Sequence, residues 1–113
     1  MSLFIDPEKS QIETSKAVGA HAIEIHTGTY CNAVETERQK ERDAVAAAAA
    51  LAHSLGLEVH GGHGLDYDNV SPIATIPAIV ELNIGHSIIA RAVIVGIEQA
   101  VREMKQLLAK ARG

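Results

Sequence analysis

Two short glycine-bearing segments hold the residues best suited to chemistry, Gly61-Gly62-His63-Gly64 and Asn83-Ile84-Gly85-His86-Ser87. In the first, glycines let backbone N–H groups approach a ligand, and a histidine among them can take up and release protons near neutral pH. A plain glycine-rich turn with an exposed histidine would read the same way locally. In the second, a helix starting near His86 would aim its free N–H groups at an anion, with phosphate the obvious candidate; the alternative is that Ser87 merely caps that helix. Glu24 stands within an apolar strand pattern, where an ionised carboxylate needs a cationic partner, a substrate or a proton of its own. It could serve as acid, base or electrostatic stabiliser, or sit in a structural ion pair. His26 shares its face. Glu58 and Glu81 read as structural residues near the strand starts, and His21 and His53 as surface residues. His26, His60, His63 and His86 all fall at strand ends, which raises a metal-dependent hydrolase as a further reading. His60 and His63 start on opposite faces, so a shared ion would require the glycine turn to swing His63 inward, and no metal is assigned.

The elements that must carry these residues alternate between strand and helix. Leu3–Ile5 reads as a strand, followed by Asp6 as N-cap, Pro7 in the first turn and a helix stopped by Gly19. Ala22–His26 is the second strand; a polar loop over 27–34 leads into a helix over 35–55, with Ala44, Ala47, Ala48, Leu51 and Leu55 as its apolar stripe and Gly56 as its stop. Leu57–Gly61 is the third strand. An irregular stretch with Pro72 and Pro77 follows, with room for one short helix. Ile79–Ile84 is the fourth strand, and two helices follow Gly85, the second presenting Ile97, Ala100, Val101, Met104, Leu108 and Ala111 on one face.

Within the strands, Ile23 and Ile25 oppose Glu24 and His26, Leu57 and Val59 oppose Glu58 and His60, and Leu82 and Ile84 oppose Glu81 and Asn83. A doubly wound parallel sheet, covered on both faces, would show nearly continuous apolar runs. One polar face instead suits a barrel wall with its helices outside. The spacing therefore predicts an α/β fold of four βα units with parallel strands and extra short helices. That is half of a TIM (β/α)₈ barrel, which takes about 250 residues when complete, and residues 1–113 read as one half-barrel domain. Such a half has two open strand edges and an uncovered lumen face, which predicts self-association.

Ten basic against fourteen acidic residues give a net charge of −4 without a Lys/Arg cluster, which excludes an electrostatic footprint for nucleic acid. No segment has the length and character of a membrane span, and the N-terminus has no leader pattern. With Cys31 as the single cysteine, the expected setting is the cytoplasm.

Five segments resemble one family in its order and at nearly its spacing: Ser2-Leu3-Phe4-Ile5-Asp6, Ile23-Glu24-Ile25-His26-Thr27-Gly28, Ser54-Leu55-Gly56-Leu57, Gly62-His63-Gly64-Leu65 and Glu81-Leu82-Asn83-Ile84-Gly85-His86. The family is that of the pyridoxine 5'-phosphate synthases, (β/α)₈-barrel transferases of vitamin B6 biosynthesis, and the resemblance covers the whole chain. It implies condensation of 3-amino-2-oxopropyl phosphate with 1-deoxy-D-xylulose 5-phosphate to give pyridoxine 5'-phosphate, inorganic phosphate and water, with no organic cofactor. By motif, His63 matches the proton donor of the later steps and Glu24 the carboxylate that stabilises the transition state. Gly64, Gly85 and His86 match the positions that bind the phosphate of 3-amino-2-oxopropyl phosphate. The family's N-terminal half, with its substrate-binding arginines and its second catalytic histidine and glutamate, has no counterpart in this sequence. The chain is thus expected to be a C-terminal half that is inactive alone, the alternative being a non-catalytic phosphate-binding half-barrel module.

Overall fold

Strand-length alternation of apolar and polar residues builds four strands, β1 (Ser2–Ile5), β2 (Ala22–His26), β3 (Glu58–Gly62) and β4 (Ile79–Asn83), in a computed structural model that describes residues 1–113. They form one sheet in the order β1-β2-β3-β4, and every neighbouring pair is parallel. Parallel neighbours need crossover connections, supplied here by α1 (Lys9–Ala17), α2 (Gly28–Asn32), α3 (Glu35–Ser54) and α4 (Val70–Ala74), while α5 (His86–Val95) and α6 (Ile97–Arg112) follow β4. This is an α/β fold with the strand order and direction of half a TIM barrel.

The two strand faces separate as their alternation requires. Ile23, Ile25, Val59 and Ile79 are buried against Ile12, Val45, Ala48, Ala49 and Ala52 of the helices. Burying each larger aliphatic side chain contributes about 1.5–3 kcal/mol. Glu24, His26 and His60 lie on the opposite face, only partly buried. No helix is long and apolar enough to cross a membrane.

Several expected boundaries shift, each for a local reason. Helix α1 starts at Lys9 with Glu8 as N-cap, not after Asp6. The Asp6 N–H donates to Gln11 Oε1 at 2.8 Å and its carbonyl accepts from the Glu8 N–H at 2.7 Å, a tight turn that delays the helix. Gly19 does take the left-handed conformation, at φ +86°. Residues 28–32, expected as loop, form α2, because burial of Tyr30 and donation from its hydroxyl to the Asn69 carbonyl at 2.6 Å pin the segment down. In α3 the buried residues are Val45, Ala48, Ala49 and Ala52, whereas Ala47 of the expected stripe is exposed. A run of alanines fits a helix in any rotation, and Val45, the largest apolar residue within it, sets the phase.

Strand β3 runs one residue later than expected, and β4 ends at Asn83. Between them Val59 pairs with Ile79 but His60 with Glu81, so Val80 is skipped, a β-bulge that leaves Val80 63% exposed. The bulge returns Glu81 and Asn83 to the lumen face. In α6, Ala100 and Met104 are buried, but Ile97 and Val101 of the predicted face are exposed, and α5 buries no residue despite its isoleucines and valines. Those two helices pack on each other, tied by the Arg91–Glu103 ion pair at 3.1 Å. At the far end of α6, Arg112 donates to the carbonyls of Ala74, Ile76 and Ile79 and fastens the helix to the entry of β4.

Candidate active site

Parallel strands bring their C-terminal ends to one edge of the sheet, and the polar face of β2 presents Glu24 there. Asn83 Nδ2 on β4 donates to Glu24 Oε1 at 2.5 Å, spanning the intervening β3. Gly62 makes that reach possible. A Cβ at position 62 would stand 2.8 Å from Glu24 Oε2, closer than real Cβ contacts come, and a tight 3.0 Å from the Asn83 carbonyl oxygen. The carboxylate is therefore held by an amide, and no lysine or arginine of this chain pairs with it.

His63 is the only non-glycine residue with a positive φ, +88°. This costs on the order of 1–3 kcal/mol and persists only where neighbours hold the backbone. Thr27 does so twice, its hydroxyl donating to the His63 carbonyl at 2.7 Å and its N–H to the Gly62 carbonyl at 2.8 Å. The turn carries the His63 ring onto that of His26, stacked at a centroid distance of 4.5 Å and 26° between planes. Gly64 follows at φ +80°, with Cys31 pressed against the place of its missing Cβ. Burial pushes the Cys31 thiol above its ordinary range, so it is poorly suited to act as a nucleophile.

Helix α5 starts at His86 with Gly85 in the N-cap position, and no side chain caps it. Ser87 does not play the capping role open to it from the sequence: its hydroxyl donates to the Leu65 carbonyl at 2.8 Å and ties the loop after β3 to the first turn of α5. The first N–H groups of α5 are left for a ligand or solvent. They open on a cleft of about 480 Å³ whose lining includes Glu24, His63, Gly64, Gly85 and His86, together with Phe4 and Asn83. The five residues singled out in the sequence, scattered over three separate segments, thus meet around one space. An acid or base, a carboxylate and a positively polarised helix end facing a common cavity can bind a phosphorylated ligand and move a proton on it.

His60 stands apart from this group. Its Nε2 lies 3.0 Å from Glu58 Oε2 and its Nδ1 3.2 Å from Glu81 Oε2, a carboxylate–imidazole–carboxylate clasp between β3 and β4. The two glutamates read as structural therefore hold a histidine, and His26, His60 and His63 do not converge on a common point. Reasoning from the sequence passed over Thr27, Gly28 and Phe4. Alternation put Asn83 on the same polar face as Glu24 without pairing the two; nothing local marks Thr27 as the residue that holds the turn.

Residues 1–110 match the family described as pyridoxal phosphate biosynthesis protein PdxJ. Among curated proteins, the chain is 57% identical over 113 residues to the pyridoxine 5'-phosphate synthase of Coxiella burnetii (strain RSA 493 / Nine Mile phase I), covering 99% of this chain and 47% of that protein. It is 54% identical over 112 residues to the enzyme of the same name from Syntrophotalea carbinolica, covering 98% and 47%. With that of Parasynechococcus marenigrum the identity is 52% over 112 residues, covering 99% and 45%. The chain spans about half the length of the curated relatives it matches.

Proposed function

The chain belongs to the pyridoxal phosphate biosynthesis protein PdxJ family, and from that premise we propose that it carries one half of a pyridoxine 5'-phosphate synthase active site. The reaction is the condensation of 3-amino-2-oxopropyl phosphate with 1-deoxy-D-xylulose 5-phosphate, which closes the pyridine ring and releases inorganic phosphate and water. The observation that carries the reading is the convergence of Glu24, His63, Gly64, Gly85 and His86 on one cleft at the C-terminal strand ends, where barrels of this kind keep their chemistry. The phosphate of 3-amino-2-oxopropyl phosphate sits against the backbone N–H groups of Gly64, Gly85 and His86. His63 donates protons in the later, water-eliminating steps, and Glu24, oriented by Asn83, stabilises developing positive charge on the amine-derived nitrogen. The chain's own residues need no organic cofactor for these roles. The setting in this reading is cytoplasmic.

Titration of the chain with inorganic phosphate tests the binding half of the proposal. The amide signals of Gly64, Gly85 and His86 are expected to shift together with one saturation curve. Shifts confined to regions away from both glycine turns would sink it.

The same architecture favours self-association. Strands β1 and β4 are both edges of the sheet, and the lumen face has no opposite wall. Two copies joined β4 to β1 in parallel would make an eight-stranded ring with the half-barrel, residues 1–113, as its repeating domain. Sedimentation velocity is expected to give twice the 12.0 kDa mass; a monomer throughout an accessible concentration range would remove this part. The phosphate-binding module without catalysis stays as the second reading because the chain spans only half of its relatives' length.

A further inference from the structure

We propose that His26 is a positioning residue for His63, a neutral imidazole locked in one tautomer by Gly28 that holds the His63 ring in place whether or not His63 carries its extra proton. The proposal rests on the reading of His63 as a proton donor and adds what keeps that donor aimed. The Gly28 N–H donates to His26 Nδ1 at 3.1 Å. A backbone amide can only donate, so Nδ1 must offer its lone pair and the ring proton sits on Nε2. A ring fixed in this way is uncharged.

Three further contacts confine it. Phe4 stands edge-on to His26 at 5.0 Å and 73°, on β1, and His63 lies stacked at 4.5 Å and 26°. Gly28 itself closes the last direction: a Cβ there would come 2.3 Å from His26 Cε1 and 3.1 Å from His63 Cδ2, so no other residue type lets both rings keep their places. The physical advantage lies in the charge. A second imidazolium 4.5 Å away would repel a protonated His63, whereas a neutral π face attracts it. The other titratable groups around the pair are Glu24 and His86, which line the same cleft, and Cys31, whose Sγ lies 3.5 Å from the His63 carbonyl oxygen. None of them touches the locked Nδ1. Because Thr27 fixes the His63 backbone and His26 its ring, the donor holds one position through protonation and deprotonation, as aligned proton transfer requires.

Long-range proton–nitrogen correlation spectra of the nitrogen-15-labelled chain decide the point without any assay of turnover. His26 is expected to show the pure Nε2–H tautomer with an unprotonated Nδ1, and cross-relaxation is expected between the two rings. His26→Phe, which keeps a stacked ring, should keep the His63 ring fixed; His26→Ala and Gly28→Ala should both release it to average over rotamers. The phosphate-induced shifts of the Gly85 and His86 amides should persist in all three variants, so their absence from the parent would count against the phosphate reading and leave this one standing. A His26 proton on Nδ1, a mixture of tautomers, or a His63 ring that stays fixed in both alanine variants would overturn the proposal.

Discussion

Supplied with saturating 3-amino-2-oxopropyl phosphate and 1-deoxy-D-xylulose 5-phosphate, the chain alone is expected to form no pyridoxine 5'-phosphate above the uncatalysed background. Holding two reactants in line supplies effective molarities on the order of 10⁵–10⁸ M, and this requires walls on both sides of the substrates. Here the cleft that holds Glu24, His63 and the start of α5 is lined only by residues of one four-stranded sheet and of the segments that follow its strands. Self-association does not repair the deficit. A second copy brings another His63 and another Glu24, but not the arginines or the second catalytic histidine and glutamate that the family resemblance places in the other half. Chromatographic detection of product from the parent chain, at a rate that His63→Ala abolishes, would contradict this expectation and mean that four strands suffice.

The second large effect concerns His63 in the two-piece assembly, with this chain combined with a separately expressed chain that supplies the remaining half of its relatives' length. His63→Ala is expected to lower kcat by about 10²–10⁴-fold, the usual contribution of a positioned general acid or base, equivalent to roughly 3–5 kcal/mol at the transition state. KM for 3-amino-2-oxopropyl phosphate should change little, because the N–H groups assigned to its phosphate are those of the backbone. Glu24→Gln is the informative companion. It keeps the shape, and its amide can still meet Asn83, but it removes the charge, so a loss in kcat comparable to that of His63→Ala marks electrostatic stabilisation. A full-rate Glu24→Gln enzyme would reduce Glu24 to a structural partner of Asn83.

Alternation along β2, β3 and β4 was enough to place a polar face opposite an apolar one, and with it the half-barrel and the lumen position of Glu24. The glycine turns were legible for the same reason that they work: His63-Gly64 and Gly85-His86 each stand directly after a strand, where topology alone decides that they share an edge. What escaped depended on contacts distant in sequence. The alanine-rich part of α3 carries almost no phase information until Val45 meets the sheet. Helix α2 exists because Tyr30 reaches Asn69, 39 residues away. Thr27, Gly28 and Phe4 act on the histidines through a hydroxyl, a missing Cβ and a ring edge, and each of these becomes visible only when β1, β2 and β3 are side by side. The β-bulge at Val80 is likewise a property of the β3–β4 pairing, without a local signature.

The central claim, that this chain holds one half of a divided active site, is tested most directly by mixing. Fixed amounts of the chain are titrated with the separately expressed other half, and initial rates of pyridoxine 5'-phosphate formation are followed. The rate is expected to rise from background and saturate near one-to-one stoichiometry, and to stay at background when the chain carries His63→Ala. A stable complex of the two pieces with parent residues and no product would contradict the claim and leave a phosphate-binding module in its place.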